Sequence, residues 1–255
     1  MAKSEKAYNN VYLKWIINNN MLLRKLDEIG SFIKRTFVFP FMRCVIEIKT
    51  HSIMRQKSYI NKGTIIRGNN YVGKNTILTN TDLGFGTIIH DNAVLSNIKV
   101  GKYCSLGPGL TMVGGTHPIR EYISSHPCFY AVKNISGFTY VKEDSYDEYV
   151  YVDKDKGYLY EIGNDVWTGK NVTLTQGVRV GDGAVIGTNA LVLTDIEPYA
   201  IYAGVPAKKI GMRFSDEQIE KLLKIKWWDR DEAWIEEHAK EFADVDGFIS
   251  KYDNE

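Results

Sequence analysis

The chain of 255 residues is poor in several things at once. Its three cysteines, Cys44, Cys104 and Cys128, are odd in number and widely separated, which argues against a disulfide framework and against a cysteine-based zinc motif. It has no excess of charge: 32 Lys and Arg against 31 Asp and Glu give a formal net charge of +1. That balance offers no electrostatic case for nucleic acid or an anionic membrane, and leaves a small molecule as the expected partner. No stretch approaches the roughly 18 consecutive apolar residues of a membrane span, so no integral membrane segment is expected. The opening MAKSEKAYNN lacks the pattern of a signal peptide, and the expectation is a cytoplasmic protein with reduced thiols.

What the chain does have is a period of six. From Ile162 to Glu197 the blocks IGNDVW, TGKNVT, LTQGVR, VGDGAV, IGTNAL and VLTDIE begin with an aliphatic residue, except where Thr168 stands. Four carry Gly second, and small or branched residues fill the fifth place. Six fits neither a helix nor an alternating strand, so this is an internal repeat. Each block predicts a short extended rung and a turn, its first residue pointing into an interior that no polar group can share. Gly suits the turn and the close approach of neighbouring chain. Stacked rungs make a parallel β-helix.

The same pattern starts at Ile60 and runs through Ile66, Val72 and Leu78, slips by one, resumes at Leu83, Ile89 and Leu95, slips again, and continues at Val100, Leu106 and Met112. Cys104 falls in a fifth place and reads as a small buried hydrophobe. The expected organisation is an N-terminal helical segment over 1–59, β-helix over 60–117, an excursion over 118–161, β-helix again over 162–205, and a tail with helices over 206–255. Residues 4–35 carry an imperfect apolar stripe, with Gly30 as a candidate break, and are expected to pack on the β-helix. Pro40 argues against an unbroken helix through FVFPFM. The excursion holds TYVKEDSYDEYVYVDKDKGYLYE, whose alternation and Asp-Lys-Gly turn predict a hairpin covering a sheet edge. Ser215 with Gln218 predicts a capping box, and Asp229 with Glu232 a second one. The helices that follow are expected to cap the open end of the β-helix.

His117 is the foremost candidate for chemistry. It sits where the repeat breaks off, after two glycines and before a proline, on a loop held by a rigid scaffold. An ordinary imidazole titrates near about 6.5, so its neutral form can take a hydroxyl proton around neutral pH. A histidine that only holds the loop by hydrogen bonds is the alternative. His126, also followed by proline, is the rival. His51, His90 and His238 read as surface or packing residues.

GTHPI, SSHPCFY, IGNDVWTG, YAGVPAKKI and FSDEQIEKLLKIKWWD together resemble the hexapeptide-repeat acyltransferases, in the branch of xenobiotic acetyltransferases and glycan O-acetyltransferases. The resemblance covers roughly 60–235. It implies a mainly β fold, a left-handed parallel β-helix with three hexads per turn, assembled as a homotrimer. It implies acetyl-CoA as co-substrate without a metal, and His117 as general base in direct transfer to a hydroxyl. His126, Tyr130 and Trp167 are then expected near the acceptor. Gly187, Thr188, Asn189 and Ala190 are expected along the pantetheine arm, with Lys208, Lys209 and Arg213 toward the CoA phosphates. The expected acceptor is a sugar hydroxyl of a cell-surface polysaccharide or its precursor, with an antibiotic or a nucleotide-linked amino sugar as alternatives. Two readings stand outside the class: a γ-type carbonic anhydrase using His90, His117 and His126, and a β-helix that binds without catalysing.

Overall fold

The computed structural model describes residues 38–253, together with Lys25 and Gly30. The helix expected over 4–35 lies outside the described residues apart from Lys25 and Gly30, and Gly30 is itself helical. From residue 38 on, the described residues fall into two compact units: 38–44 with 115–149, and 45–114 with 150–253.

The second unit is a parallel β-solenoid. Its core-facing residues form three stacks, one per face of the coil. The first runs Met54, Val72, Ile89, Leu106, Thr168, Ile186 and Tyr202. The second runs Ile60, Leu78, Leu95, Met112, Leu174 and Val192. The third runs Ile66, Leu83, Val100, Ile162, Val180 and Ile196. Almost all are buried, so the first-place residues of the hexads do face the interior. Thr168 is tolerated among them because its hydroxyl accepts from the Gly107 amide at 2.9 Å, so its oxygen is paired inside the core.

Each coil turns at residues with positive φ, and five of these are asparagines in the fourth place of a hexad: Asn69, Asn75, Asn92, Asn171 and Asn189. Asn tolerates this region because its short amide bonds locally. The second-place glycines have a different cause. A Cβ on Gly107 would lie 2.3 Å from the carbonyl oxygen of Gly169 in the next coil. Close stacking, and not the corner angle, requires glycine there.

Both slips fall at one corner. Passing from the first stack to the second, or from the third to the first, always takes six residues. Passing from the second to the third takes five at Leu78–Leu83 and at Leu95–Val100, and four at Val192–Ile196. With a residue missing there is no room for a separate turn, and the strands Ile77–Leu83 and Val94–Val100 bend continuously through the corner and pair with each other. Asn61, Asn80 and Asn97 form an amide ladder there, each Nδ2 donating to the next Oδ1 at 3.0 Å. The chain leaves for the excursion at this same corner, after Thr111–Val113, and returns at Tyr160–Ile162.

Helix α1 (Phe39–Thr50) carries Pro40 as its second residue, directly after Val38 in a π-helical turn, so the regular α-helix starts beside the proline rather than running through FVFPFM. Ile46 packs against the solenoid core, and Glu47 accepts from the Met54 amide at 2.7 Å. The C-terminal helices are α2 (Asp216–Ile225), α3 (Glu232–His238) and α4 (Val245–Tyr252). The capping box at Ser215 and Gln218 is present. The next cap is Asp231, which accepts from the Trp234 amide, and not Asp229, whose carboxylate pairs with Lys102. These helices lie along a side corner of the coils rather than over an open end. Tyr103 and Tyr199 occupy positive-φ corner sites and project their rings outward. Ile219, Leu222, Ile225, Trp228 and Phe248 close over that aromatic strip as a second core.

The expected hairpin is reduced to one antiparallel bridge, Asp153 with Tyr158, around the turn at Gly157. The residues before it have no strand partner because their backbone serves the excursion. The Tyr140 amide bonds Cys128 O and the Ser145 amide bonds Tyr130 O, both at 2.9 Å. Among the described residues no helix is long and apolar enough to cross a membrane.

Candidate active site

The first unit holds His117. Its ring is exposed, and Nδ1 lies 2.6 Å from the Tyr130 hydroxyl. Tyr130 is fully buried, with Tyr122 and Tyr146 edge-on to its ring at 5.9 and 5.4 Å. Its hydroxyl reaches Glu148 Oε1 at 2.7 Å. Burial, and then the bond to Glu148, push the Tyr130 phenol well above its usual range. Thr116 ties this cluster together, since its amide donates to Glu148 O at 2.8 Å. His117 Nε2 has no hydrogen-bond partner among the described residues.

His126 is placed differently. It is the N-cap of a short 3-10 turn, Pro127–Phe129, and its Nδ1 accepts from the Cys128 amide at 3.2 Å. Its ring stacks on Phe138 at 5.8 Å. One nitrogen holds the loop, and the exposed edge belongs to the other. The same excursion thus contains one histidine engaged by a buried polar chain and one engaged by backbone. Tyr130, expected beside the acceptor, is buried and faces His117 instead.

The residues expected to serve the donor are in the solenoid unit. Trp167 stands outward on its rung, 52% exposed. The amides of Gly187, Asn189 and Ala190 are already bound, to Tyr202 O, Lys170 O and Gly187 O. Ala190 faces the core. The side chains of Thr188 and Asn189 are exposed and remain approachable. Arg213 is a structural clamp: it pairs with Asp165 at 2.9 Å, bonds Gly183 O at 2.8 Å, and lies over the rings of Tyr199 and Phe214. Burial raises the Asp165 carboxyl, and Arg213 opposes that shift. Lys209 pairs with Glu197. Lys208 is exposed and has no ion pair among the described residues.

The family described as bacterial transferase hexapeptide (six repeats) matches residues 160–194. A Lysinibacillus sphaericus protein named "Probable macrolide acetyltransferase" is 39% identical over 141 residues, 55% of this chain and 73% of that protein. The chain belongs to the hexapeptide-repeat acetyltransferases. A chloramphenicol acetyltransferase of Agrobacterium fabrum is 41% identical over 149 residues, spanning 56% of this chain and 63% of that protein. A hexapeptide-repeat acetyltransferase of Vibrio cholerae O1 biovar eltor, crystallised with acetyl coenzyme A, is 18% identical, with 84% of this chain and 89% of that chain covered at a TM-score of 0.35.

The Cys104 thiol of this acyltransferase is closed off from solvent. Cys104 is buried, bonds Gly163 O at 3.0 Å, and burial pushes its thiol up to about 12. It is the inert core residue that its place in the hexad predicts. No group of three His, Cys, Asp or Glu among the described residues is arranged to hold a metal ion. The element of this acetyltransferase that sequence reasoning missed is Glu148. It lies in the tyrosine-rich stretch, 31 residues from His117, with no period to mark it.

Proposed function

We propose that the protein is an acetyl-CoA-dependent O-acetyltransferase in which His117 Nε2 takes a proton from an acceptor hydroxyl. The observation that carries this reading is an exposed imidazole with Nδ1 engaged at 2.6 Å and Nε2 open. The oxygen then attacks the thioester carbonyl, and CoA leaves as a thiolate. Burial of Cys104 in the coil argues against that residue as an acetyl carrier.

Family membership supports acetyl-CoA as the donor. Thr188, Asn189 and Lys208 are the donor contacts whose side chains are open, and Trp167 offers an aromatic face to the acceptor. His126 contributes loop shape and a donor edge. A homotrimer is supported by the outward rows of two solenoid faces, where Ile53 and Ile88, and Ile77 and Val94, stand exposed. The third face carries Asp82, Lys99, Glu161 and Arg179 in ion pairs with one another or with Arg67.

For the acceptor, the names of the two sequence relatives support an antibiotic alcohol of the chloramphenicol or macrolide kind. A sugar hydroxyl of a surface polysaccharide is the second reading, supported by the aromatic residues of the excursion, which suit a sugar face. Purified protein with labelled acetyl-CoA is to be offered chloramphenicol, a macrolide and oligosaccharide acceptors. Label should move to at least one hydroxyl acceptor, and ester formation should vanish in His117→Ala. Transfer only to amines, or none to any member of the panel, overturns the proposal.

A further inference from the structure

We infer that Tyr130 and Glu148 are positioning residues that fix the proton of His117 on Nδ1 and so keep Nε2 free as the base. The inference rests on His117 being that base, and it concerns what makes the imidazole competent.

The direction follows from counting protons. A phenol has one, and an ionised carboxylate has none. At 2.7 Å the Tyr130 hydroxyl must donate to Glu148 Oε1, because the opposite arrangement would set two acceptors against each other. The phenol oxygen, its proton committed, can only accept from His117 at 2.6 Å. Nδ1 is therefore the protonated nitrogen of the neutral ring. The lone pair is left on Nε2, the atom without a partner among the described residues. His126 shows the opposite outcome. Its Nδ1 accepts from the Cys128 amide, so its neutral ring carries the proton on Nε2 and presents a donor outward.

The geometry holds the relay in place independently of substrate. The Tyr130 ring is buried against Tyr122 and Tyr146, which leaves its hydroxyl no second position. Two hydrogen bonds from Thr116, from its amide at 2.8 Å and its hydroxyl at 3.3 Å, bind the residue beside His117 to the backbone of Glu148. The Ser145 amide holds Tyr130 O at 2.9 Å.

During transfer the acceptor proton moves to Nε2 as the C–O bond forms. The imidazolium then has its second N–H directed, through one hydroxyl, at the Glu148 carboxylate. When the C–S bond breaks, the proton passes from Nε2 to the CoA sulfur and the Nδ1–H tautomer is restored. Tyr130 and Glu148 keep their protonation throughout, so they orient and stabilise without exchanging protons.

The test is a long-range proton–nitrogen spectrum of uniformly 15N-labelled protein, with the His117 signals identified by their loss in His117→Ala. The expected result is a protonated Nδ1 and a bare Nε2. Tyr130→Phe should yield a mixture of tautomers. It should also lower kcat on the order of 10²-fold, with KM for acetyl-CoA and chloramphenicol nearly unchanged. Glu148→Gln keeps an acceptor for the phenol proton; it should keep the tautomer and lower kcat roughly tenfold through the lost charge. A wild-type His117 protonated on Nε2 overturns the inference, and this measurement needs no variant of Tyr130 to fold. So does a Tyr130→Phe protein with unchanged tautomer and kcat. If His117→Ala instead keeps full transfer, the base assignment falls while the spectrum still reports on the relay, so the two failures are distinct.

Discussion

The solenoid and the excursion solve the same problem, satisfying a backbone, by opposite means. In the solenoid every coil hands its amides to the next in a fixed register, so a position is defined by its place in the hexad and its neighbours are copies of itself. The stretch 115–149 of the excursion contains one short 3-10 turn and otherwise bonds loop to loop, as Thr116 does to Glu148 and Val132 does to Asp144. Repetition makes many equivalent places and no unique one. A reactive group needs a setting that occurs once, and the proposed base, His117, lies in the interruption.

The largest expected contrast is between His117→Ala and a change in the coil. Removing the imidazole should lower kcat on the order of 10²- to 10⁴-fold while the unfolding free energy moves by less than about 0.5 kcal/mol. Steady-state rates and urea unfolding on the same preparations check both. The converse is Gly107→Ala, whose Cβ meets the Gly169 carbonyl oxygen at 2.3 Å. Backbone cannot yield there as a side chain can, so a loss of roughly 3 kcal/mol is expected, with kcat of the folded fraction unchanged. A tolerated alanine would mean that the coils are less closely stacked.

Cys104 sharpens the comparison through pH. Its thiol is pushed up to about 12 in the folded protein, whereas an unfolded cysteine titrates near about 8.5. Between those values the folded state holds a proton that the unfolded state has lost. The contribution is complete below the unfolded pKa and lost as pH rises toward the folded one. In Cys104→Ala the fall of stability with pH in that window should be shallower by about 1.4 kcal/mol per pH unit. Equal slopes would mean that the thiol ionises freely in the coil. The smallest effect is expected at Lys208, where Lys208→Glu should raise KM for acetyl-CoA about threefold without altering the melt. No change would leave the solenoid surface without a charge role in binding CoA.

The fold is legible because the hexad is a physical code. One stack residue per rung, Asn at the positive-φ corner and Gly at close approach all recur, and Leu83 and Val100 mark the slips by their spacing alone. The site is legible only at its tip. GTHPI exposes His117 by its place at the end of a repeat, but Tyr130 and Glu148 join it across 13 and 31 residues of irregular chain. No local pattern registers such contacts. The tyrosine alternation misleads for a related reason. Tyr146 packs on the Tyr130 ring rather than facing a strand neighbour, so a period of two arises without a ladder. Asp229 matches the capping spacing, but Lys102 competes for its carboxylate and Asp231 takes the cap.

All variation in coil length falls at one corner, which runs six, five, five, fifty, six and four residues from second stack to third while the other two corners never depart from six. That edge works as a seam. Chain added or removed there leaves both other ladders in register, whereas a single residue gained elsewhere would turn a core side chain outward. A molecule built this way can exchange its reactive loop wholesale without rebuilding its frame, and new acceptors can be met by replacing the insert alone.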